Sequence, residues 1–229
     1  MNQAAKEMKA LIYHGIGDVR VETRPVPECG PEDVIVRTVR ASICGSDMTA
    51  YLHGGENINI LPGREFGHEM VGYIWKKGER VTGVQEGHAG FVAPAKAGED
   101  PMEANMAGAF SQYMRVRRAR TGKNLYLLPD GLSYDDAVLI EPLSVSTHAK
   151  NRAAVKPEEK VLVCGSGPIG LGVVAALAAQ GNRTVAVVDR VAHRLAFAER
   201  MGAFPILSTS DDLEHLEDQL VGFFGRMGN

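Results

Sequence analysis

The sequence predicts a chain of two halves, a β-rich first half and an α/β second half built on a parallel sheet. In the first half, short alternating segments are separated by Gly and Pro turns, a pattern typical of a small barrel or sandwich. In the second half, the apolar run Val161–Cys164 precedes a glycine-rich turn and an apolar helix, as expected of a strand covered on both faces. A second apolar run, Val185–Val188, follows that helix. This strand–helix–strand order is typical of a doubly wound parallel sheet.

Composition excludes several classes of protein. With 229 residues, the chain is long enough for one large domain or two modest ones. Its net charge of −3 gives no electrostatic basis for binding nucleic acid or an anionic membrane. The first residues lack the apolar core of a signal peptide, and no apolar run reaches the roughly 20 residues of a membrane span. Three widely spaced cysteines predict free thiols and a cytoplasmic location.

The first half can be justified element by element. Strands separated by Gly and Pro turns are predicted at residues 9–13, 19–22, 33–40 and 109–116, the last closing the barrel. Ser133 and Asp136 have the spacing of a capping box, which predicts a helix through Glu141. We place the boundary between the two domains after residue 152, which gives domains 1–152 and 153–229.

The second half carries the clearest functional signal. Gly165, Gly167 and Gly170 form G-x-G-x-x-G between the strand and a helix that runs from Pro168 to about Gln180. The first glycine allows a tight turn, the second allows a pyrophosphate to approach the backbone, and the third allows close helix–strand packing. The helix N-terminus presents free N–H groups to the phosphates. The pattern therefore predicts a dinucleotide site; the alternative is an ordinary βαβ unit with a glycine turn.

The identity of the dinucleotide depends on Asp189, at the end of the second strand of this unit. Its carboxylate can accept hydrogen bonds from both adenosine ribose hydroxyls and repels a 2′-phosphate, which favours NAD over NADP. Arg190 is a counter-signal, since an arginine there can bind a 2′-phosphate. Beyond it we predict a helix over 191–201 that carries Arg194 toward the adenosine, a strand over 204–207 and an amphipathic helix over 211–224.

A second candidate site lies in the first half. Cys44 and His68 occupy predicted loops about twenty residues apart, and Glu69 adjoins the histidine. A thiol, an imidazole and a carboxylate are the side chains from which proteins build zinc sites. From these residues alone, a zinc site and a buried structural cysteine beside an unrelated histidine stay equally open.

Several motifs in one order make the chain similar to the zinc-dependent medium-chain dehydrogenases. The matching pieces include C-G-S-D from Cys44, G-H-E from Gly67, E-P-L-S from Glu141 and G-S-G-P-I-G from Gly165. The chain most resembles the polyol, or sorbitol dehydrogenase-like, branch. The resemblance implies a GroES-like β-barrel domain followed by a Rossmann-type domain. Because members of the family continue beyond the point that matches Asn229, we expect a truncated chain with part of that second sheet.

The resemblance also assigns roles to residues of the first half. It implies that Cys44, His68 and Glu69 bind a catalytic zinc ion. Glu141 either completes the zinc shell or holds a water there, and which carboxylate binds the metal directly stays open. Ser46 would take the substrate proton. Asp47 would orient the histidine ligand, a role that metal-bound imidazoles require; its sequence context alone favours a turn cap instead.

Two departures from the family pattern modify these expectations. The family often has a histidine where this chain has Thr49, so His53 becomes the candidate for the proton relay. The four-cysteine structural zinc lobe of many members has no counterpart, since residues 81–109 contain no cysteine. We therefore expect one catalytic zinc and no structural zinc, and a short mobile lobe over residues 98–108.

The resemblance implies a dehydrogenase that transfers a hydride between a secondary alcohol or polyol and NAD. Zinc acts as the Lewis acid in that chemistry. The candidate cofactor-binding residues are Gly165, Gly167, Pro168, Ile169, Gly170, Asp189 and Arg194. The alternatives are a non-catalytic zinc- and nucleotide-binding remnant and a zinc-free reductase of the same superfamily. We expect a small-molecule substrate, no nucleic-acid or membrane partner, and a homo-oligomer or self-associating chain.

Overall fold

The computed structural model describes residues 6–58, 60–93, 108–208 and 213–225. The chain divides into two compact units, Met1–Glu141 and Pro142–Asn229. The predicted domain boundary after residue 152 lies near the end of a helix, Ile140–Ala153, that begins at this division. The proposed lobe at 98–108 lies almost wholly outside the described residues.

The first unit is built from antiparallel strands. Within the described ranges these are β1 (Glu7–Gly15), β2 (Asp18–Pro25), β3 (Val34–Ser42), β4 (Arg64–Glu65), β5 (Glu69–Lys77), β6 (Ala89–Val92), β7 (Tyr113–Val116) and β8 (Leu125–Leu127). The helices of this unit are α1 (Gly45–His53), a 3-10 turn (Glu56–Ile58) and α2 (Tyr134–Ala137). The β-rich first half is confirmed, and so are the strands predicted at 9–13, 19–22 and 33–40; the strand predicted over 109–116 is shorter, Tyr113–Val116.

These strands form two sheets. The larger has the order β7-β3-β5-β6-β8 and the smaller the order β2-β1-β4. The larger sheet packs its apolar face on a core that includes Val34, Met70 and Ile74, each 1% exposed or less. Burying one such side chain fully contributes roughly 1.5–3 kcal/mol. This core fixes β3 and β5, the two strands whose ends carry the candidate metal ligands.

The helix predicted from Ser133 through Glu141 is wrong as a single element. Its start is as predicted, since Ser133 Oγ accepts a hydrogen bond from the Asp136 backbone N–H at 3.1 Å. However, α2 ends at Ala137 and a new helix, α3 (Ile140–Ala153), begins at Ile140. Pro142 explains the break, because a proline inside a helix clashes with the carbonyl four residues before it and is accommodated in a first turn.

The second unit contains a parallel sheet. Its described elements after α3 are β9 (Val161–Cys164), α4 (Pro168–Gln180), β10 (Val185–Asp189), α5 (Ala192–Arg200), β11 (Phe204–Leu207) and α6 (Leu213–Phe224). The strand order is β11-β10-β9, with both pairs parallel. The predicted strand–helix pattern is therefore confirmed.

Packing in this unit follows the apolar pattern of the sequence. Val174 and Leu177 of α4 and Leu195 of α5 pack with the β9 and β10 valines in one buried cluster. None of the helices in the described ranges combines the length and apolar character that crossing a membrane requires.

Candidate metal centre and nucleotide site

The register of two strands assembles the candidate metal centre. Antiparallel pairing of β3 with β5 sets Ser42 opposite Glu69. Cys44 lies two residues after Ser42, and His68 directly precedes Glu69, so both reach the same edge of the sheet. The ligand atoms of Cys44, His68 and Glu69 lie within 4.8 Å of one another. The structure thus brings together three residues that the sequence places on separate segments.

Gly67 sets the turn that delivers His68 to this edge. Its φ is +83°, in the left-handed region that favours glycine. A Cβ atom at Gly67 would also lie 2.5 Å from the ring of Phe110. Any other residue here would have to displace that aromatic side chain, so the glycine of G-H-E has a steric reason.

Asp47 ties the two metal-binding segments together. Its side chain is 2% exposed, Oδ2 accepts a hydrogen bond from the Cys44 backbone N–H at 2.9 Å, and Oδ1 lies 3.4 Å from His68 Nδ1. The first contact caps α1, and the second faces one ring nitrogen and leaves the other, Nε2, for a metal. Asp47 can therefore cap α1 with one carboxylate oxygen and orient His68 with the other, so the two interpretations from the sequence do not exclude each other.

A hydroxyl supports the carboxylate of the cluster in the same way. Ser42 Oγ donates a hydrogen bond to Glu69 Oε2, and the Glu69 side chain is buried. This contact fixes one carboxylate oxygen and leaves the other unrestrained by it. The sequence analysis assigned Ser42 no role, because only the β3–β5 register shows that it lies opposite Glu69.

Burial and neighbouring charges shift the pKa values of His68 and Glu141. Burial alone would lower the pKa of His68, but contacts with Asp47 and Cys44 raise it to about 9. Burial raises the pKa of Glu141, helped by the charges of Glu69 and Asp47 and opposed by that of His68. Glu141 is therefore in electrostatic range, at the start of α3, but it lies outside the group of atoms within 4.8 Å.

The donor set fits a zinc ion. Thiolate, imidazole and carboxylate are the three kinds of zinc ligand in proteins, and three protein ligands are what a catalytic zinc has when a fourth position is open. The imidazole has a carboxylate behind it, the arrangement that fixes the ring tautomer in metal-binding histidines. In the described part of the chain, Cys44, His68 and Glu69 form the one cluster of this kind.

The predicted proton-transfer residues are placed differently. Ser46 lies in the first turn of α1, two residues from Cys44, and is half-buried. Thr49, at the position where the family often has histidine, donates its hydroxyl hydrogen to the Gly45 carbonyl at 3.0 Å.

His53 is the last residue of α1 and lines a separate cavity of about 360 Å³ with Tyr13. At about 1.5 Å per residue, α1 carries His53 away from Cys44, and the structure does not bring it to the metal centre.

The candidate nucleotide site lies in the second unit. Gly167 is the N-cap of α4 and Pro168 its first residue, so the helix N-terminus follows the glycine turn directly. A Cβ atom at Gly170 would lie 1.8 Å from the Gly165 carbonyl oxygen, which explains that glycine sterically. The turn and the helix N-terminus are arranged as an anion-binding site requires.

Asp189 ends β10 beside this turn. Its Oδ2 accepts hydrogen bonds from Ser166 N–H at 2.6 Å and Ser166 Oγ at 2.8 Å, and its Oδ1 accepts one from Val191 N–H at 2.8 Å. These bonds, those from the Ser166 backbone first, lower the pKa of Asp189 to about 2. From the sequence we predicted that Asp189 accepts from both ribose hydroxyls and assigned Ser166 no role, whereas Ser166 already bonds Oδ2. Arg194 lies exposed on α5.

Comparisons with known proteins find a matching family and several relatives. Residues 30–130 match the alcohol dehydrogenase GroES-like domain. The sorbitol dehydrogenase of Bos taurus is 36% identical over 98% of this chain and 67% of its own length. The crystal structure of 2R,3R-butanediol dehydrogenase from Bacillus subtilis matches with a TM-score of 0.78 at 29% identity, covering 93% of this chain and 67% of that one.

A third relative was solved with a nucleotide. The structure of an alcohol dehydrogenase from E. coli CFT073, complexed with the cofactor NADH, matches with a TM-score of 0.79 at 28% identity, covering 94% of this chain and 67% of that one. The chain spans about two thirds of the length of the curated relatives that it matches, 67% of the bovine protein and 65% of the Bacillus subtilis sorbitol dehydrogenase.

Proposed function

Because this chain belongs to the zinc-dependent medium-chain dehydrogenases, in the sorbitol dehydrogenase-like branch, we propose that it transfers a hydride between a secondary alcohol or polyol and NAD. The observation that carries the proposal is the cluster of Cys44, His68 and Glu69 ligand atoms within 4.8 Å. The named relatives act on sorbitol and butanediol, which supports a small polyhydroxylated or diol substrate.

Cys44, His68 and Glu69 hold one zinc ion in this proposal. When bound, zinc supplies Lewis-acid polarisation of the substrate oxygen, and NAD supplies the hydride acceptor. Glu69 rather than Glu141 is the carboxylate ligand, because Glu69 belongs to the ligand cluster and is oriented by Ser42. Glu141, whose pKa burial raises, is within electrostatic range of the centre and is not one of the zinc ligands in this proposal.

The residues of the chain supply position and proton transfer. Asp47 fixes the His68 ring, so that Nε2 stays aimed at the metal position. Ser46, in the first turn of α1, accepts the hydroxyl proton of the substrate as its own hydroxyl proton passes to solvent; His53, at the far end of α1, has no part in this step. The Thr49 hydroxyl donates its hydrogen to the Gly45 carbonyl at 3.0 Å, so it is not available for this proton transfer.

NAD binds at the glycine turn in this proposal, with the pyrophosphate at the N-terminus of α4 and the adenosine ribose at Asp189. The pKa of Asp189 is held at about 2, so its carboxylate stays ionised throughout the neutral range and repels a 2′-phosphate. Arg190 and Arg194 are exposed, and solvent screens exposed charges. Their attraction for a 2′-phosphate is therefore weaker than the repulsion from Asp189.

The test uses the 229-residue chain loaded with zinc. Binding of NAD is measured first by calorimetry, and NADH formation is then followed spectroscopically with sorbitol, 2,3-butanediol and ethanol as substrates. We expect NADH formation with the polyol or diol, and loss of turnover in Cys44→Ser. A chain that binds both zinc and NAD but forms no NADH with any of these alcohols would contradict catalysis and identify a binding remnant.

We also infer that the protein works in a reducing compartment, the cytoplasm. Cys29, Cys44 and Cys164 are all free thiols, as expected where disulfides do not form. Self-association stays a prediction. It is motivated by β9, which lies at an edge of the described parallel sheet and exposes 37% of Leu162. Sedimentation of the chain over a range of concentrations tests it.

A further inference from the structure

Ser166 is a fully buried residue in the middle of the G-x-G turn, and its side chain points at Asp189. It is 0% exposed, so a nucleotide cannot contact its hydroxyl directly. Its Oγ and its backbone N–H both donate to Asp189 Oδ2, at 2.8 and 2.6 Å. The serine hydroxyl therefore acts on the carboxylate and on nothing outside the protein.

These bonds restrict what Asp189 can offer to a ligand. An ionised carboxylate has about four acceptor positions. Two on Oδ2 are taken by Ser166 and one on Oδ1 by the Val191 N–H, and the Arg190 backbone also bonds this carboxylate, so Oδ2 is fully engaged by Ser166. The carboxylate is also held in place, because the donors come from both the β9–α4 turn and the segment after β10.

The positive charges near Asp189 make the position of its carboxylate important for the binding of a 2′-phosphate. Arg190 and Arg194 follow it within five residues, and both are exposed. A carboxylate that could rotate toward these cations would form ion pairs with them. It would then repel an incoming 2′-phosphate less strongly. A carboxylate bonded to the glycine turn cannot rotate in this way.

We propose that Ser166 is a specificity-determining residue of the nucleotide site, acting as a positioning residue that holds Asp189 against the glycine turn. There the carboxylate meets the ribose through Oδ1, since Ser166 holds Oδ2, and it excludes a ribose 2′-phosphate. The inference rests on the proposed binding of NAD by this unit. It goes further, because it assigns the discrimination to a pair, Ser166 and Asp189, and not to the acid alone.

The main test is Ser166→Ala in the 229-residue chain, with dissociation constants of NAD and NADP measured by calorimetry. Loss of this positioning bond should weaken NAD by about three- to tenfold, the effect of one ordinary hydrogen bond. NADP should not weaken, so that its affinity relative to NAD rises. Ser146→Ala is the matched control, because Ser146 is also 0% exposed and its hydroxyl bonds the Pro142 and Ile169 carbonyls instead of Asp189. It should leave the NAD to NADP ratio unchanged.

Two further measurements separate positioning from general damage. Carboxyl carbon NMR should show the pKa of Asp189 rising from about 2 in Ser166→Ala, since one of the bonds that lower it is gone. In a double-mutant cycle, Ser166→Ala should have no effect on the ratio once Asp189→Ala is present. An unchanged ratio with both nucleotides still bound, or an equal effect in both backgrounds, overturns the role of Ser166. A parent chain that binds neither nucleotide overturns the proposed cofactor site itself.

Discussion

The support that Asp47 gives to His68 makes a quantitative prediction for zinc affinity. In Asp47→Asn, the amide oxygen can still accept from the Cys44 N–H, which now bonds Oδ2 at 2.9 Å. The amide NH₂ then faces His68 Nδ1, where Oδ1 lies at 3.4 Å in the parent. An NH₂ donor favours the imidazole tautomer that carries its proton on Nε2, the nitrogen that the metal needs. Zinc binding therefore requires a change of tautomer in the variant.

The size of the effect follows from burial and from known outer-shell carboxylates. Asp47 is 2% exposed, so water cannot replace it. Removal of such a partner lowers metal affinity about 10- to 100-fold, or roughly 1.4–2.7 kcal/mol. We expect a zinc dissociation constant higher by this factor in Asp47→Asn, measured by competition with a chromophoric chelator at neutral pH.

Asp135→Asn provides the control. Asp135 is a largely exposed acid of α2 that pairs with Arg40, and its loss removes the same formal charge from a residue outside the ligand cluster. It should change zinc affinity less than twofold, because exposed pairs contribute roughly 0–1 kcal/mol. If Asp47→Asn binds zinc as tightly as the parent while circular dichroism shows the same fold, the orienting role of Asp47 is refuted.

Three further variants test other parts of the structure. Cys44→Ser should lose the saturable zinc that the parent binds, as shown by metal analysis after gel filtration, because the thiolate is the soft ligand. Gly170→Ala should abolish nucleotide binding, measured by calorimetry, since its Cβ would lie 1.8 Å from the Gly165 carbonyl oxygen; retained binding would contradict that packing. Asp33→Asn should lower the free energy of unfolding by about 1.5–3 kcal/mol in urea melts, since Asp33 is 5% exposed and bonds Arg115. Burial would raise the pKa of Asp33, but the Arg118 N–H and the Arg115 guanidinium offset it and lower the pKa. This stability is therefore present above about pH 4 and lost as pH falls through the lowered pKa; an unchanged acid limb in the variant would contradict the assignment.

Local sequence patterns predicted the elements whose causes are local. The parallel βαβ unit from Val161 to Asp189 was predicted because apolar runs, turn glycines and an alanine-rich helix each act within a few residues. The helix through Glu141 was wrong for a reason that is also local, since Pro142 cannot lie inside a continuous helix. The sequence therefore predicted the secondary structure wherever local backbone preferences determine it.

The remaining features depend on contacts between distant segments. Ser42 faces Glu69 only because of the β3–β5 register, and a slip of one residue would turn it to the other side of the sheet. Ser166 reaches Asp189 because β9 and β10 are parallel neighbours. The β9–β10 pairing was predicted, but neither of these two side-chain contacts is visible in the composition or spacing of the sequence. The helix α1, which separates His53 from Cys44, was not predicted either, although Asp47 in the C-G-S-D segment turned out to cap it.

The most direct test of the central claim is X-ray absorption at the zinc edge of the zinc-loaded chain, combined with its metal stoichiometry. We predict one zinc per chain with a single sulfur ligand at about 2.3 Å and nitrogen or oxygen ligands at about 2.0–2.2 Å. The sulfur is that of Cys44, and it should vanish from the spectrum of any residual metal in Cys44→Ser. A shell of nitrogen and oxygen alone in the parent, a shell with several sulfurs, or two zinc ions per chain would contradict the cluster of Cys44, His68 and Glu69 as the metal centre.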